Sequence, residues 1–434
     1  MSDRLAEHLD AALAALREGP LVVAFSGGMD STVLLHAFAT SPRARTRGLR
    51  AIHVDHALHA DSARWAAQCA AFAAQFDIPF EIARVAVERN GKGLEDAARN
   101  ARMAAFEQAL KPHDVIALAQ HRDDQAETVL LKLLRGAGPE GLGGMHALRE
   151  FGAGWLWRPL LDLPRAVLHE YARERDLHWI EDPSNAHTEL RRNFLRHEIL
   201  PRLTRRWPDV AVALAHSANA TRAAAEFIAG EARKALAHLQ GLDPATLDWR
   251  GWLDLPGALR DPVLRLWLRE LELDEPAQLH VRELERQLRD AQEDRVPCVA
   301  FAQTELRRYR ELLYAMHPHD LPPPDWQTDW DGTSALNLPD GSTLVLQPAQ
   351  RIDPPLRVAY RRGGERIKPT GAAHTRELRL LLQEAGVPPW QRAQLPLIWH
   401  ADALLAVGDL FLSDTGAAWS ERRGARLVWT PHEH

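Results

Sequence analysis

The sequence predicts an α/β fold: a parallel-sheet nucleotide-binding domain, then a mostly helical domain, then a small α+β C-terminal domain. Three observations predict it. Short apolar runs alternate with helical patterns over about the first 200 residues, the signature of βαβ units with helices on both faces of a parallel sheet. A serine–glycine–glycine turn joins the first apolar run to a helix. A proline-rich polar stretch, HPHDLPPPDW (317–326), sets off a last segment of short strand-like runs with glycine and proline turns.

The first domain is read over 1–208. LVVAFS (21–26), AIHVDH (51–56), EIARVAV (81–87) and DVIALA (114–119) are its strands, and the segments near 30–39, 61–76 and 95–110 its helices. WLWRPLLDLP (155–164) adds a further strand before a helix near 164–175. An alanine-rich stretch without proline, 209–242, predicts a long connecting helix. Residues 243–316 follow as a small, mostly helical domain ending in a hairpin, VPCVAFA and ELLYAM. The linker is read over 317–329 and the third domain over 330–434. No internal repeat is visible.

Composition bounds the rest. At about 100–200 residues per domain, 434 residues suggest two to four domains. Hydrophobic residues make up 46% and charged residues 26%, as in packed globular proteins. The opening segment carries acids and no apolar run, so it does not read as a signal peptide. No run reaches the ~18 apolar residues of a membrane span. Cys69 and Cys298 offer neither a disulfide framework nor a CxxC pair, which fits a reducing cytoplasm. The formal charge of −6 argues against a nucleic-acid partner until its distribution is considered. Residues 191–206 hold six arginines against Glu198, and 357–368 hold five basic residues against Glu365. Taken alone, either patch reads more readily as a solvated helix face than as a nucleic-acid contact.

The sharpest signal is AFSGGMDSTVLL (24–35), an apolar strand, a glycine turn and a helix beginning near Asp30. Glycines let the backbone approach a ligand closely. The helix start offers free N–H groups and a positive dipole end to an anion. Ser26, Ser31 and Thr32 add hydroxyl donors, and Asp30 suits Mg²⁺, which takes oxygen ligands. In such sheets ligands sit beyond the carboxyl ends of the strands, where Ser26–Ser31, Asp55–Asp61 and His121–Glu127 all fall. No GxxxxGK[ST] loop is present. The string instead resembles SGGxDS, the signature of the PP-loop ATP pyrophosphatases, which implies cleavage of ATP between its α and β phosphates and adenylation of a substrate.

Two further clusters lie beside this loop in the sheet. HVDHALHADS (53–62) gathers His53, His56, His59, Asp55 and Asp61 but matches no strict metal template. Next to a phosphate loop it is read as a wall of the adenosine pocket, with His53 among the nucleotide contacts. Asp123, Asp124 and Glu127 open a helix, where acids favour the dipole by simple capping. Facing a cleft, Asp124 and Glu127 could instead position Mg²⁺ or an attacking amine. The glycine-rich tail 136–144 suits a mobile loop.

The chain is also similar, over nearly its whole length, to the tRNA(Ile)-lysidine synthetase family. The resemblance rests on His121–Gly144, on ARNARMAAF (98–106) with Arg99 and Arg102, and on Glu181–Asn185 followed by Arg192–Asn193 and Leu200–Pro201. GGERIKP (363–369) and QEAGVPPWQR (383–392) extend it to the third domain. Met103 stands where an aromatic residue is usual, and Gln120 where many relatives carry a small residue or His.

The resemblance implies an ATP-dependent ligase. It would join free lysine to carbon 2 of the wobble cytidine of tRNA(Ile) with a CAU anticodon, through an adenylated cytidine, releasing AMP and pyrophosphate. It implies ATP binding by Ser26, Gly27, Gly28, Asp30, Ser31, Thr32 and His53, and Mg²⁺ at Asp30 and Asp124. Arg102 would face the α-phosphate, and Asp124 and Glu127 would hold the lysine ammonium. These residues with Asp30 form the expected catalytic set. Arg192, Arg196, Arg361, Arg362, Arg366 and Lys368 would bind tRNA. Trp390 reads as core rather than as a base-stacking surface. A cytoplasmic location is implied and no membrane partner, while the oligomeric state stays open, a homodimer included. The nearest rivals are RNA thiolases, which need cysteines to carry sulfur, commonly in pairs, and amidating synthetases, which need ammonia, often from an attached glutaminase that is not visible here. A non-catalytic RNA-binding protein is a third.

Overall fold

The structure is a computed structural model that describes residues 2–57, 59–86, 94–183, 188–291, 296–318, 321–323 and 325–431. Leu58, Val87, Ser184, Asn185, His319, Asp320 and Pro324, which belong to strings named above, lie outside the described residues. The chain divides into two compact units, Met1–Ala229 and Gly230–His434.

In the first unit the elements run α1 (Ser2–Ala15), β1 (Leu21–Ala24), α2 (Met29–Thr40), α3 (Pro42–Thr46), β2 (Arg50–Asp55), α4 (Ser62–Ala74), β3 (Phe80–Arg84), α5 (Leu94–Ala109) and β4 (Val115–Ala117). They continue α6 (Arg122–Leu134), α7 (Pro139–Leu142), β5 (Leu148–Phe151), β6 (Gly154–Trp157) and α8 (Arg165–Glu174). The expected strands and helices are all present, with strands shorter than the apolar runs that announced them.

The sheet has the order β3-β2-β1-β4-β6-β5. Every pairing is parallel except β5 with β6, a hairpin at the edge. Strand alternation feeds two cores. Leu21, Val23 and Phe25 face the layer of α1, α2 and α8, whereas Val22 and Ala24 face Phe106 of α5 and Leu110 just beyond it. The chain turns in opposite directions from β1 and from β4. That makes the gap between their carboxyl ends the switch point where such sheets bind ligands. The serine–glycine loop leaves β1 there and His121 follows β4.

After α8 come α9 (Arg191–Phe194), a π-helical turn (Leu195–Ile199), α10 (Leu200–Arg206) and the long α11 (Val210–Leu239). The second unit opens with β7 (Thr246–Asp248), α12 (Trp249–Asp254), α13 (Gly257–Glu270), α14 (Gln278–Asp290), β8 (Cys298–Phe301), β9 (Thr304–Tyr309) and β10 (Leu312–Met316). The expected hairpin of VPCVAFA with ELLYAM does not form: TELRRY (β9) lies between them and pairs with both, and β7 adds to the far side of β10, giving a sheet ordered β7-β10-β9-β8 sealed by Trp252, Trp267 and Leu264.

The rest of the second unit contains β11 (Gln327–Trp330), β12 (Leu336–Asn337), β13 (Thr343–Gln347), β14 (Leu356–Ala359), β15 (Arg366–Ile367) and β16 (Arg376–Glu377). It ends with α15 (Leu378–Glu384), α16 (Pro389–Arg392), β17 (Leu397–His400), β18 (Ala403–Val407), β19 (Phe411–Leu412), α17 (Asp414–Arg423) and β20 (Arg426–Thr430). Trp390 is buried, edge-on to Tyr314 and Tyr309. No described helix is long and apolar enough to cross a membrane.

Candidate active site

Gly27 turns the chain out of β1 with φ +84°, and a Cβ there would come within 2.5 Å of Ile180 Cδ1 and 2.7 Å of Cys69 Sγ. Both conformation and space therefore require glycine. The Ser31 and Thr32 hydroxyls each donate to Gly28 O at 3.0 Å, and Ser31 Oγ lies 3.0 Å from Ser26 Oγ. Ser31 and Thr32 are buried and brace the loop, whereas Ser26 is exposed. The backbone N–H groups that open α2 have no partner within the helix, so the loop presents donors and a positive dipole end together.

Asp30 stands in the first turn of α2. Its Oδ2 lies 3.6 Å from His121 Nε2 and its Oδ1 3.6 Å from Arg165 Nε. Burial works to raise its pKa, but His121, Arg165 and Arg196 outweigh that and hold the carboxyl below its ordinary range. Asp30 Oδ1 is buried and accepts no hydrogen bond from the described residues.

His121, 1% exposed, links this loop to α6. The Asp124 N–H donates to His121 Nδ1 at 3.4 Å, and the His121 N–H donates to Asp124 Oδ2 at 3.1 Å, a reciprocal cap. Burial favours neutral imidazole, but Asp30, Asp124 and Asp123 prevail and raise its pKa. Asp123 instead accepts the backbone N–H of Arg165 at 2.9 Å.

Asp124 and Glu127, one helical turn apart on α6, meet both arginines expected to bind tRNA. Arg196 Nε donates to Glu127 Oε1 at 2.6 Å, and its Nη2 donates to Asp124 Oδ1 and Glu127 Oε2, both at 2.9 Å. Arg192 Nε donates to Glu127 Oε2 at 2.7 Å and its Nη2 to Asp124 Oδ1 at 3.2 Å. Arg192 lies on α9 and Arg196 on the π-helical turn that follows it, and both guanidiniums reach the same carboxylates. Such turns recur at functional sites.

Three expected residues border this network. Arg102 on α5 has an exposed side chain, yet lost hydration and the charges of Arg99 and Arg192 lower its pKa, as for a cation in a crowded, positive cleft. The buried His53 donates from Nδ1 to Phe25 O at 2.9 Å, tying β2 to the start of the loop. His56 has a buried, unpartnered Nδ1, and burial with Arg102 lowers its pKa. Among the described residues no group of three or more His, Cys, Asp or Glu could hold a metal ion.

The glycine-rich tail is more structured than its composition suggests. It contains α7, and its end is gripped on two sides. Gln125 pairs with the backbone of Met145 at 2.8 and 3.0 Å, and Arg222 donates to the carbonyls of Gly143 and Met145 at 3.1 and 2.8 Å. Gln120, the departure noted above, accepts from buried Arg158, and Met103 packs against the α5 side of the sheet.

The C-terminal basic residues lie in the second unit. Arg361 faces Glu365 at 3.5 Å, Arg362 donates to Asp325 O at 3.0 Å, Arg366 to Thr375 O at 3.4 Å, and Lys368 pairs with Asp414 at 3.0 Å. Gly363 and Gly364 form the turn between them with φ +96° and +83°.

Sequence reasoning gave no role to His121, Arg165 or Arg158. His121 had a signal, its position immediately before two aspartates at a helix start. Arg165 had one too: a cation in the first turn of a helix opposes the dipole.

Known proteins resemble this chain over nearly its whole length. The PP-loop domain family matches residues 1–203, the TilS substrate binding domain 247–314 and the TilS substrate C-terminal domain 356–429. A tRNA(Ile)-lysidine synthase of Xanthomonas axonopodis pv. citri is 44% identical over 427 residues, covering 96% of this chain and 95% of that relative. One from Pseudomonas aeruginosa is 41% identical over 452 residues, covering 98% and 97%. Among solved structures, a TILS C-terminal domain is 25% identical and covers 25% of this chain and 98% of its own, with a TM-score of 0.21.

Proposed function

This chain belongs to the tRNA(Ile)-lysidine synthase family, and on that premise we propose how its cleft performs the ATP-dependent ligation of lysine to tRNA(Ile). The supporting observation is the meeting, at one switch point, of a phosphate loop and a carboxylate–arginine network. The substrates are ATP, free lysine and a CAU-anticodon tRNA, and the setting is the cytoplasm.

In the first half-reaction, oxygen 2 of the wobble cytosine attacks the α-phosphorus of ATP. An O–P bond forms, the bond to the β-phosphate oxygen breaks, and pyrophosphate leaves. Ser26, Gly27, Gly28 and the opening N–H groups of α2 receive the phosphates, while Arg102 faces the α-phosphate. Ser31 and Thr32 hold the loop in shape from below. His53 fixes the adjoining strand, which walls the adenosine.

Asp30 fits a Mg²⁺ site, because its buried Oδ1 has a free lone pair. The ion would supply positive charge to the phosphate oxygens. Asp124 is the weaker of the two expected ligands, since both of its oxygens already accept hydrogen bonds.

In the second half-reaction the lysine ε-amine attacks carbon 2, a C–N bond forms, and AMP leaves with the former carbonyl oxygen. Glu127 and Asp124 hold the ammonium group and accept the proton it gives up as the amine attacks. Arg192 and Arg196 fix those carboxylates and add charge on the RNA side of the cleft. Arg362, Arg366 and Lys368 grip the tRNA backbone and take no part in the chemistry.

A thiolase reading is disfavoured by the cysteines. Burial pushes the Cys69 thiol up to about 12, and burial with Glu305 pushes Cys298 up to about 11, so neither is a thiolate at neutral pH. The test is transfer of radiolabelled lysine to CAU-anticodon tRNA(Ile) with and without ATP. ATP-dependent incorporation is expected; none under either condition overturns the reading.

A further inference from the structure

Arg165 is the first residue of α8, at the end of the strap that follows β6. The strap is fastened to the start of α6. The Arg122 backbone N–H donates to Leu163 O at 2.9 Å, Arg122 Nε donates to Asp162 O at 3.0 Å, and Asp123 accepts the Arg165 N–H. These ties fix where the Arg165 side chain begins. Its Nε then lies 3.6 Å from Asp30 Oδ1, against the phosphate loop, with the side chain 49% exposed.

Three features of this arginine call for an anionic ligand. It opposes the dipole of its own helix, a placement that costs stability unless an anion answers it. At 3.6 Å its contact with Asp30 is an ion pair too long for a good hydrogen bond. Among the described residues its guanidinium donates no hydrogen bond, although it carries five N–H donors in a planar fork. By contrast Arg196, the other cation acting on Asp30, is committed to Asp124 and Glu127 by three hydrogen bonds.

We propose that Arg165 binds the β- and γ-phosphates of ATP and the departing pyrophosphate, opposite the N–H groups of the serine–glycine loop. The proposal rests on the ATP-dependent reading above. In the first half-reaction the bridging oxygen takes the electron pair of the breaking O–P bond, so negative charge grows on the β-phosphate. A half-exposed guanidinium beside Asp30 can meet that charge with two parallel hydrogen bonds. The α-phosphate stays with Arg102 and the adenylated cytidine.

The test is equilibrium titration of the full chain with ATP, AMP and pyrophosphate in the presence of Mg²⁺, using wild type, Arg165→Ala and Arg165→Lys. Arg165→Ala is expected to weaken ATP and pyrophosphate about tenfold or more and to leave AMP unchanged. Arg165→Lys should recover part of the loss, because it restores the charge but not the fork. If AMP weakens as much as ATP, Arg165 acts only by shaping the loop through Asp30, and the proposal fails. It fails equally if no affinity moves. Arg165→Gln repeats the comparison if the alanine variant melts early. A wild-type protein that binds neither ATP nor pyrophosphate contradicts the ATP-dependent reading itself rather than this assignment.

Discussion

Arg192 and Arg196 keep 20% and 27% of their side chains exposed and face Asp124 and Glu127, which keep 12% and 1%. In the C-terminal patch, the Arg362 and Arg366 guanidiniums donate to backbone carbonyls, and Lys368 meets Asp414 where both side chains are 43% exposed. Both regions read as basic stripes in the sequence. One is a semi-buried network in which each member determines the cost of losing another. The other is a solvated surface where an ion pair is worth roughly 0–1 kcal/mol and salt screens it. Arginine density alone does not separate chemistry from affinity; the acids facing the arginines do.

The largest effect should come from the phosphate end of the cleft. Asp30→Ala is expected to reduce tRNA-dependent pyrophosphate release about hundredfold or more while the melting profile stays cooperative. Undiminished release would remove Asp30 from the chemistry. Next comes the network itself. Arg196→Ala leaves the buried Glu127 with Arg192 alone, so it should cost up to about 3 kcal/mol in urea unfolding, against about 0.5 kcal/mol or less for Arg366→Ala. Equal losses would erase the contrast between the two regions.

A smaller effect depends on pH. His121 is raised above its ordinary 6.5, so its stabilisation is complete below that value and is lost as pH rises through the folded pKa. Asp30 is held below 3.8, so its contribution is complete above that value and is lost as pH falls through the folded pKa. Between about pH 5.5 and about pH 8.5, wild type should therefore lose more stability than His121→Gln, measured by urea midpoints. Parallel losses would mean that His121 does not titrate against these carboxylates.

The smallest effect belongs to the C-terminal patch. Arg362→Ala with Arg366→Ala should raise the tRNA KM a few-fold and flatten its salt dependence, leaving the ATP and lysine constants unchanged. Arg361 is the poorer choice, since its side chain is 15% exposed and faces Glu365, 9% exposed, so its loss would mix folding with binding. An unchanged tRNA KM and salt slope would mean that the patch does not touch tRNA.

The strand–loop–helix at 21–40 was legible because strand alternation, glycine conformation and helix dipole all act locally. So was the placing of Ser26–Ser31 and His121–Glu127 beyond the carboxyl ends of the strands, whereas the switch point between β1 and β4 follows from a strand order that the residue pattern does not carry. The pairing of Glu127 with Arg196 was not, because it joins distant segments and depends on a π-helical turn that leaves no mark in the residue pattern. The tail at 136–144 was misjudged for a related reason. Glycine content reports conformational freedom in the unfolded chain, whereas Gln125 and Arg222 determine how firmly its end is held. The hairpin expected after Pro297 became four strands because the intervening TELRRY pairs with both of its strands and the edge of β10 pairs with a segment about 65 residues earlier in the chain.

In the proposed division of labour, the phosphate loop serves the first half-reaction and the carboxylate–arginine network the second. The most direct measurement is pyrophosphate release and lysine incorporation, followed side by side in Glu127→Gln with CAU-anticodon tRNA(Ile) and ATP. The amide oxygen, in the place of Oε2, can still accept from Arg192 Nε and Arg196 Nη2, but the amide NH2 cannot accept from Arg196 Nε, and the charge that holds an ammonium group is lost. Pyrophosphate release near the wild-type rate, with lysine incorporation reduced about tenfold or more, is the predicted result. Lysine incorporation at the wild-type rate, or an equal fall in both, would contradict it.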